Sequence, residues 1–199
     1  MQEEKEKFNF IDTGKRVLDI ESKAISELKN HLDEDFESAC NACIQCKGKI
    51  IVMGVGKSGH IADKIAATFA STGTPSFFVR PSEALHGDLG MIDQNDIIIA
   101  LSNSGESQEI IELLPVLKKM KIPIISLTGN NESKLAKASD SHINVSVKEE
   151  ACPMNLAPTA STTAALAMGD AIAVALLEKK GFSEEDFAKS HPGGTLGKK

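Results

Sequence analysis

The stretch VMGVGKSGHI, residues 52–61, decides the fold. It ends an apolar run, KIIVMGV at 49–55, and leads into HIADKIAATFAST at 60–72, whose apolar residues recur at helical spacing. A buried strand, a glycine-rich turn and a helix, in that order, are the first half of a βαβ unit. The turn matches two known patterns at once. Gly54-x-Gly56-x-x-Gly59 is the dinucleotide fingerprint, and Gly56-Lys57-Ser58 is the tail of a P-loop. The P-loop needs a glycine five positions before Gly56, where Ile51 stands. The dinucleotide pattern wants an acidic residue at the end of the second strand; that strand ends in Arg80, which would suit a 2′-phosphate and leaves this weak pattern open. The two patterns share one piece of physics. Glycine lets backbone N–H groups at a helix start approach an anion, and Lys57 and Ser58 add a charge and a hydroxyl.

The same alternation continues along the chain. Short apolar runs at 76–80, 96–102, 122–129 and 142–147 read as four more strands. Helical patterns at 108–120, around 133–138 and at 159–180 separate or follow them. Continuous Val/Ile runs without polar alternation predict strands covered on both faces, hence a parallel sheet in an α/β fold. Two helices, at 12–30 and 34–46, precede the first strand. In such sheets ligands bind at the carboxyl ends of the strands, where the strand order reverses.

Composition narrows the partners. The 199 residues carry a formal net charge of −6, which gives a nucleic acid no electrostatic footing. An anionic small molecule would have to be held by local donors. The longest apolar stretch, AALAMGDAIAVALL at 164–177, is shorter than a membrane span and is interrupted by Asp170, so no membrane role is expected. No signal-peptide pattern opens the chain, and a cytoplasmic protein with reduced thiols is expected. Cys40, Cys43 and Cys46 form C-x2-C-x2-C, but Ile50 stands where an iron–sulfur run wants its fourth cysteine. On a helix these thiols read as small buried residues.

The loop after the third strand is SNSGES, with Ser102, Ser104 and Ser107 around Gly105 at the start of a helix. Three hydroxyls and free helix N–H groups form a neutral phosphate cradle; simple N-capping, with Asn103 and Glu106 as a capping-box-like pair, is the plainer reading. Three other segments carry groups able to move a proton. SEALHGDLGMI holds Glu83, His86 and Asp88; KEEACPMNLAPTASTT holds Glu149 and Glu150; FAKSHPGGTLG holds His191 in irregular backbone before Pro192.

Together GVGKSGHIADKIAATFASTGTPSFFVRPSEALHGDLGMI, ALSNSGESQEI, EEACPMNLAPTASTTAALAMGDAIAVALL and DFAKSHPGGTLG resemble the arabinose-5-phosphate isomerases of Gram-negative bacteria, which are sugar isomerase (SIS) domain proteins. The resemblance spans essentially the whole chain. It implies a five-stranded parallel sheet flanked by helices, a flavodoxin-like three-layer sandwich with two N-terminal helices. On this view residues 1–199 are one SIS domain: helices at 1–47, an α/β core at 48–180, and a segment at 181–199 that contributes to an active site. Many members continue into a pair of CBS domains; this sequence ends at GTLGKK and resembles a short form.

The resemblance further implies interconversion of D-ribulose 5-phosphate and D-arabinose 5-phosphate, supplying Kdo and lipopolysaccharide synthesis, without a cofactor. The implied catalytic residues fall on Lys57, Glu109, Glu150 and His191, with His86 nearby. The implied phosphate site comprises Gly56, Ser58, Ser102, Ser104 and Ser107. The chemistry requires no metal, although His86 and His191 offer an adventitious one its ligands. The family is usually tetrameric, and His86 and His191 are expected to reach a neighbouring subunit's site. Another phosphosugar isomerase of the SIS family, or a non-catalytic phosphosugar sensor, are the alternatives.

Overall fold

The computed structural model describes residues 8–190. Five strands, β1 (Ile50–Gly54), β2 (Ser76–Val79), β3 (Ile97–Leu101), β4 (Ile124–Thr128) and β5 (Ser141–Asn144), pair in parallel in the order β2-β1-β3-β4-β5. This is the flavodoxin-like order. It reverses direction between β1 and β3, so the crevice at their carboxyl ends is the expected binding place. Gly54 lies opposite Leu101, Leu101 opposite Leu127, and Thr128 opposite Asn144, which brings the ends of four strands level.

Every residue of β1, β3 and β4 is buried, as their continuous apolar sequences predict. Side chains alternate between two cores. Ile50 and Val52 of β1 pack with α2 (Glu34–Gln45), α3 (Gly56–Ser71) and α7 (Ala160–Lys180) on one face. Ile51 and Met53 pack with α4 (Pro81–Leu85), α5 (Gln108–Lys119) and α6 (Lys134–Ala138) on the other. Cys43 lies inside the first core, with Cys40 and Cys46 against it, as expected of small apolar residues. Burial pushes the Cys40 thiol up to about 11 and the Cys43 thiol up to about 12.

The amino-terminal helix α1 (Phe10–Glu27) begins at Asn9, whose side chain accepts from the N–H groups of Ile11 and Asp12. It lies across α7 and is tied to the segments around it. Arg16 donates to the Ala151 carbonyl at 3.1 Å, Glu21 accepts from the Thr163 hydroxyl at 3.0 Å, and Glu27 pairs with Lys148 at 2.8 Å. Its outer face leaves Phe10, Ile11 and Leu18 exposed, each by about 70% or more (81%, 70% and 69%).

The structure departs from the sequence reading in three places. GKSG is not a loop: α3 starts at Gly56, so Lys57 and Ser58 sit in its first turn. The apolar run at 164–177, by itself shorter than a span, belongs to a 21-residue helix, extended by residues 160–163 before it and 178–180 after it; α7 is long and apolar enough by length and composition to cross a membrane. It is apolar on all sides because it is wedged between α1, α2 and α3. Finally, α4 and α8 (Glu184–Ser190) are short helices that the sequence did not signal.

Candidate active site

Gly54 and Gly59 close the first βα turn. A Cβ on Gly54 would lie 2.6 Å from the Ser58 carbonyl oxygen, and one on Gly59 would lie 2.8 Å from that of Gly54. The match to the dinucleotide fingerprint is thereby explained as close strand–helix packing, whatever the ligand. Val55, at the N-cap of α3, makes no side-chain cap, and no acidic residue occupies the first turn. Lys57 is exposed there. A cation at a helix N-terminus opposes the macrodipole, so the charge that would be stabilised at this end is an anion's.

The loop after β3 repeats this arrangement. Ser107 is the N-cap of α5, yet its side chain caps nothing. Its hydroxyl instead meets that of buried Ser102 at 2.9 Å. Ser102 also accepts from the Gly105 N–H at 3.1 Å, and Ser104, which is exposed, takes the Glu106 N–H at 3.2 Å. The capping-box reading of Asn103 and Glu106 fails. Glu106 accepts from the backbone N–H of Lys134 at 2.8 Å and pairs with its ammonium at 3.1 Å, anchoring the loop to α6. Glu109, half-buried, occupies the first turn of α5 beside buried Ile110.

A third helix start converges on the same crevice. Thr159, at the N-cap of α7, does not cap it with its side chain. Glu150 does so from nine residues upstream. Its Oε2 accepts from the Thr159 N–H (2.8 Å), the Thr159 hydroxyl (3.0 Å) and the Ser161 N–H (3.2 Å). Partial burial alone would raise the carboxyl, but hydrogen bonds from the Ser161 hydroxyl, the two N–H groups and the Thr159 hydroxyl prevail and hold it below the usual range. The Glu150 N–H donates to the side chain of Asn155 at 2.7 Å.

Between these helix starts lies a cleft of about 40 Å³, lined among others by Ser58, Ser102, Asn103, Ser161 and Thr162. Its wall is mixed: the hydroxyls and the Asn103 amide share it with Ile61, Leu101, Leu127, Val145, Pro158 and Ala165, and none of these lining residues is charged. Ser58 and Ser102 both line the cleft, Ser107 is bonded to Ser102 and Glu150 to Ser161, while Gly56, Lys57, Ser104 and Glu109 are not among its lining residues. Ser161 and Thr162 were missed, although the hydroxyl cluster TASTT at a helix start repeats the signal of SNSGES. His86, exposed at the end of α4, does not line this cleft. A separate opening of about 310 Å³ at the end of β2 is lined by His60, Asp63, Arg80, Glu83 and Asp88. His191 lies outside the described residues.

The family model of the SIS domain matches residues 43–175. The chain belongs to the SIS family. The match covers all five strands, the serine loop and most of α7. This SIS domain is 60% identical over 192 residues to the arabinose 5-phosphate isomerase KdsD of Shigella flexneri, covering 96% of this chain and 58% of that protein. It is 54% identical over 191 residues to KdsD of Pseudomonas aeruginosa, covering 96% and 59%. The chain thus spans little more than half the length of these curated relatives. A protein from E. coli CFT073, solved in complex with arabinose 5-phosphate, superimposes with a TM-score of 0.89 at 46% identity, covering 93% of this chain and all of that one.

Proposed function

We propose that this SIS domain is an aldose–ketose isomerase that interconverts D-ribulose 5-phosphate and D-arabinose 5-phosphate through a cis-enediol. The product would supply Kdo and lipopolysaccharide synthesis. One observation supports the reading: the Glu150 carboxylate is bonded to the start of α7, whose Ser161 and Thr162 share a cleft with Ser58 and Ser102 from two other helix starts. Identity to KdsD proteins and likeness to a structure holding arabinose 5-phosphate support the choice of sugar.

The phosphate goes to the serine loop and the start of α3, on Ser102, Ser107, Ser58 and the N–H groups near Gly56, with Ser104 at the rim. A cleft of about 40 Å³ has room for an anionic head and not for a pentose. The sugar carbons therefore lie across its mouth. The base removes a proton from C1 of the ketose; the C–H electrons form the C1–C2 double bond, and O2 takes up a proton. Returning a proton to C2 and releasing the one on O1 gives the aldose. Glu150 is assigned as the base and Glu109 as the second choice. His191 serves ring opening of the furanose, or proton traffic between O1 and O2. Lys57 polarises the carbonyl or holds the phosphate. Neither a metal nor a cofactor has a task in this route.

Residues 1–199 act as one domain, and the working form is a homotetramer whose neighbours lend His86 and His191 to each site. The exposed apolar face of α1 supports assembly. Four free thiols support a reducing, cytoplasmic setting. The test is turnover by purified protein on a panel of pentulose, hexulose and heptose phosphates, resolved by carbohydrate chromatography. Conversion of ribulose 5-phosphate is expected; conversion of a hexulose phosphate alone, or ligand binding with no turnover, refutes the proposal.

A further inference from the structure

Thr159 departs from its local rule. A threonine at an N-cap normally turns its oxygen forward to the N–H groups of the first turn. Here that service comes from Glu150, and the Thr159 side chain points back along the chain. Its hydroxyl accepts from the Ala151 N–H at 2.8 Å and donates to Glu150 Oε2 at 3.0 Å, while its own N–H donates to the same oxygen at 2.8 Å. One residue thus fixes both the backbone beside Glu150 and the carboxylate itself. Asn155, which has φ +54, completes the frame by accepting from the Glu150 N–H at 2.7 Å.

We infer that Thr159 is a positioning residue, which holds Glu150 in a single orientation with Oε2 committed to the start of α7 and Oε1 left to exchange a proton with substrate. This rests on Glu150 being the base. Three donors converging on one oxygen define the rotamer more tightly than a single contact, and the Ala151 N–H fixes the hydroxyl that supplies one of them. The charged and titratable groups around the bracket are Arg16 and Glu21 from α1 and Lys148, Glu149 and Cys152 from the adjoining segment. Among the described residues, none of them donates a hydrogen bond to the Glu150 carboxylate.

Thr159→Val keeps the shape and the N–H but deletes the hydroxyl; Thr159→Ser restores it. Both are measured in the whole chain, after circular dichroism has shown native folding. In Thr159→Val, kcat should fall by about tenfold or more, as for other small misplacements of reacting groups. KM should stay within a few-fold, and the acidic limb of kcat/KM should move to higher pH, because a donor to the charged form is gone. Thr159→Ser should recover most of kcat and return the limb. The second readout needs no turnover: 13C-glutamate NMR, with the Glu150 signal assigned by its loss in Glu150→Gln. The Glu150 titration should move upward in Thr159→Val. An unmoved titration, or a serine variant as impaired as the valine one, overturns the positioning role. Full turnover by Glu150→Gln overturns instead the assignment of Glu150 as base, on which the inference rests.

Discussion

Replacing Gly105 with alanine should damage both the fold and the candidate phosphate loop. Gly105 sits at φ +67, where an L-residue costs roughly 1–2 kcal/mol. A Cβ there would also run into the side chain of Ser133, contacting both its Oγ and its Cβ, with Thr128 Cγ2 only 3.4 Å away. Ser133 cannot swing aside cheaply. It is 1% exposed, and its hydroxyl caps α6 by accepting from the Ala136 N–H at 3.2 Å. Overpacking of this kind costs roughly 1–3 kcal/mol. The sum is about 2–5 kcal/mol, which for a domain of this size lowers Tm by roughly 2–4 °C per kcal/mol. The strain is relieved by lifting the 102–107 loop, which breaks the bond from the Gly105 N–H to Ser102 and that from the Leu135 N–H to the Gly105 carbonyl. Weaker affinity for inorganic phosphate should accompany the lower melting point. A double-mutant cycle isolates the steric part. Ser133→Gly removes the obstacle, so the pair should be less destabilised than the sum of its members by about 1 kcal/mol or more. A Gly105→Ala protein that melts within a degree or two of wild type would refute the reasoning. So would strict additivity with Ser133→Gly, since the clash would then not be the cause.

Three further outcomes follow from named contacts. Ser102→Ala should raise KM for the sugar phosphate by about tenfold while kcat changes little, because the lost hydroxyl serves binding in ground state and transition state alike; steady-state kinetics decide, and an unchanged KM counts against the serine cradle. Alkylation followed by mass spectrometry should label Cys152 first, since the backbone N–H of Ala157, then those of Leu156 and Met154, lower its thiol, whereas Cys43 is pushed up to about 12; earlier labelling of Cys43 would contradict the packing. Asp96→Ala should cost roughly 1–3 kcal/mol for each backbone N–H left without an acceptor, read by urea denaturation. The buried carboxylate takes the Lys49 N–H at 2.7 Å, the Asp93 N–H at 2.8 Å and the Lys49 ammonium at 3.2 Å, and a loss below 1 kcal/mol would show that water replaces it freely.

The framework was legible in the sequence wherever one residue class repeats. KIIVMGV, DIIIALS and IPIISLTG each announce a strand covered on both faces, and each is one, trimmed by a residue or two where backbone pairing ends. The site was legible where chemistry is local: SNSGES declares its hydroxyls, and the first turn of α3 its lysine. What sequence hides is the long-range partner. Glu106 looks like a capping-box residue but bonds to Lys134, twenty-eight positions away. Thr159 looks like a cap, yet the capping atom belongs to Glu150, and no local spacing links the two. Glycines at 56 and 59 read as a turn because glycine usually does, whereas the helix starts at Gly56 itself. Gly56 supplies a φ of +57, and the small size of Gly54 and Gly59 lets the helix begin directly against the strand.

The mutual bond between the Ser102 and Ser107 hydroxyls has a bearing on how an anion would be taken up. Those donors are dipoles, and one of the two protons is already given to the other hydroxyl before any ligand arrives. Uptake would then trade one hydrogen bond for another without collapsing a charge. Screening by dissolved ions weakens attraction between charges far more than exchange between neutral groups. A binding surface of this sort keeps its grip across wide swings in ionic strength, where a pocket built from arginines would lose it.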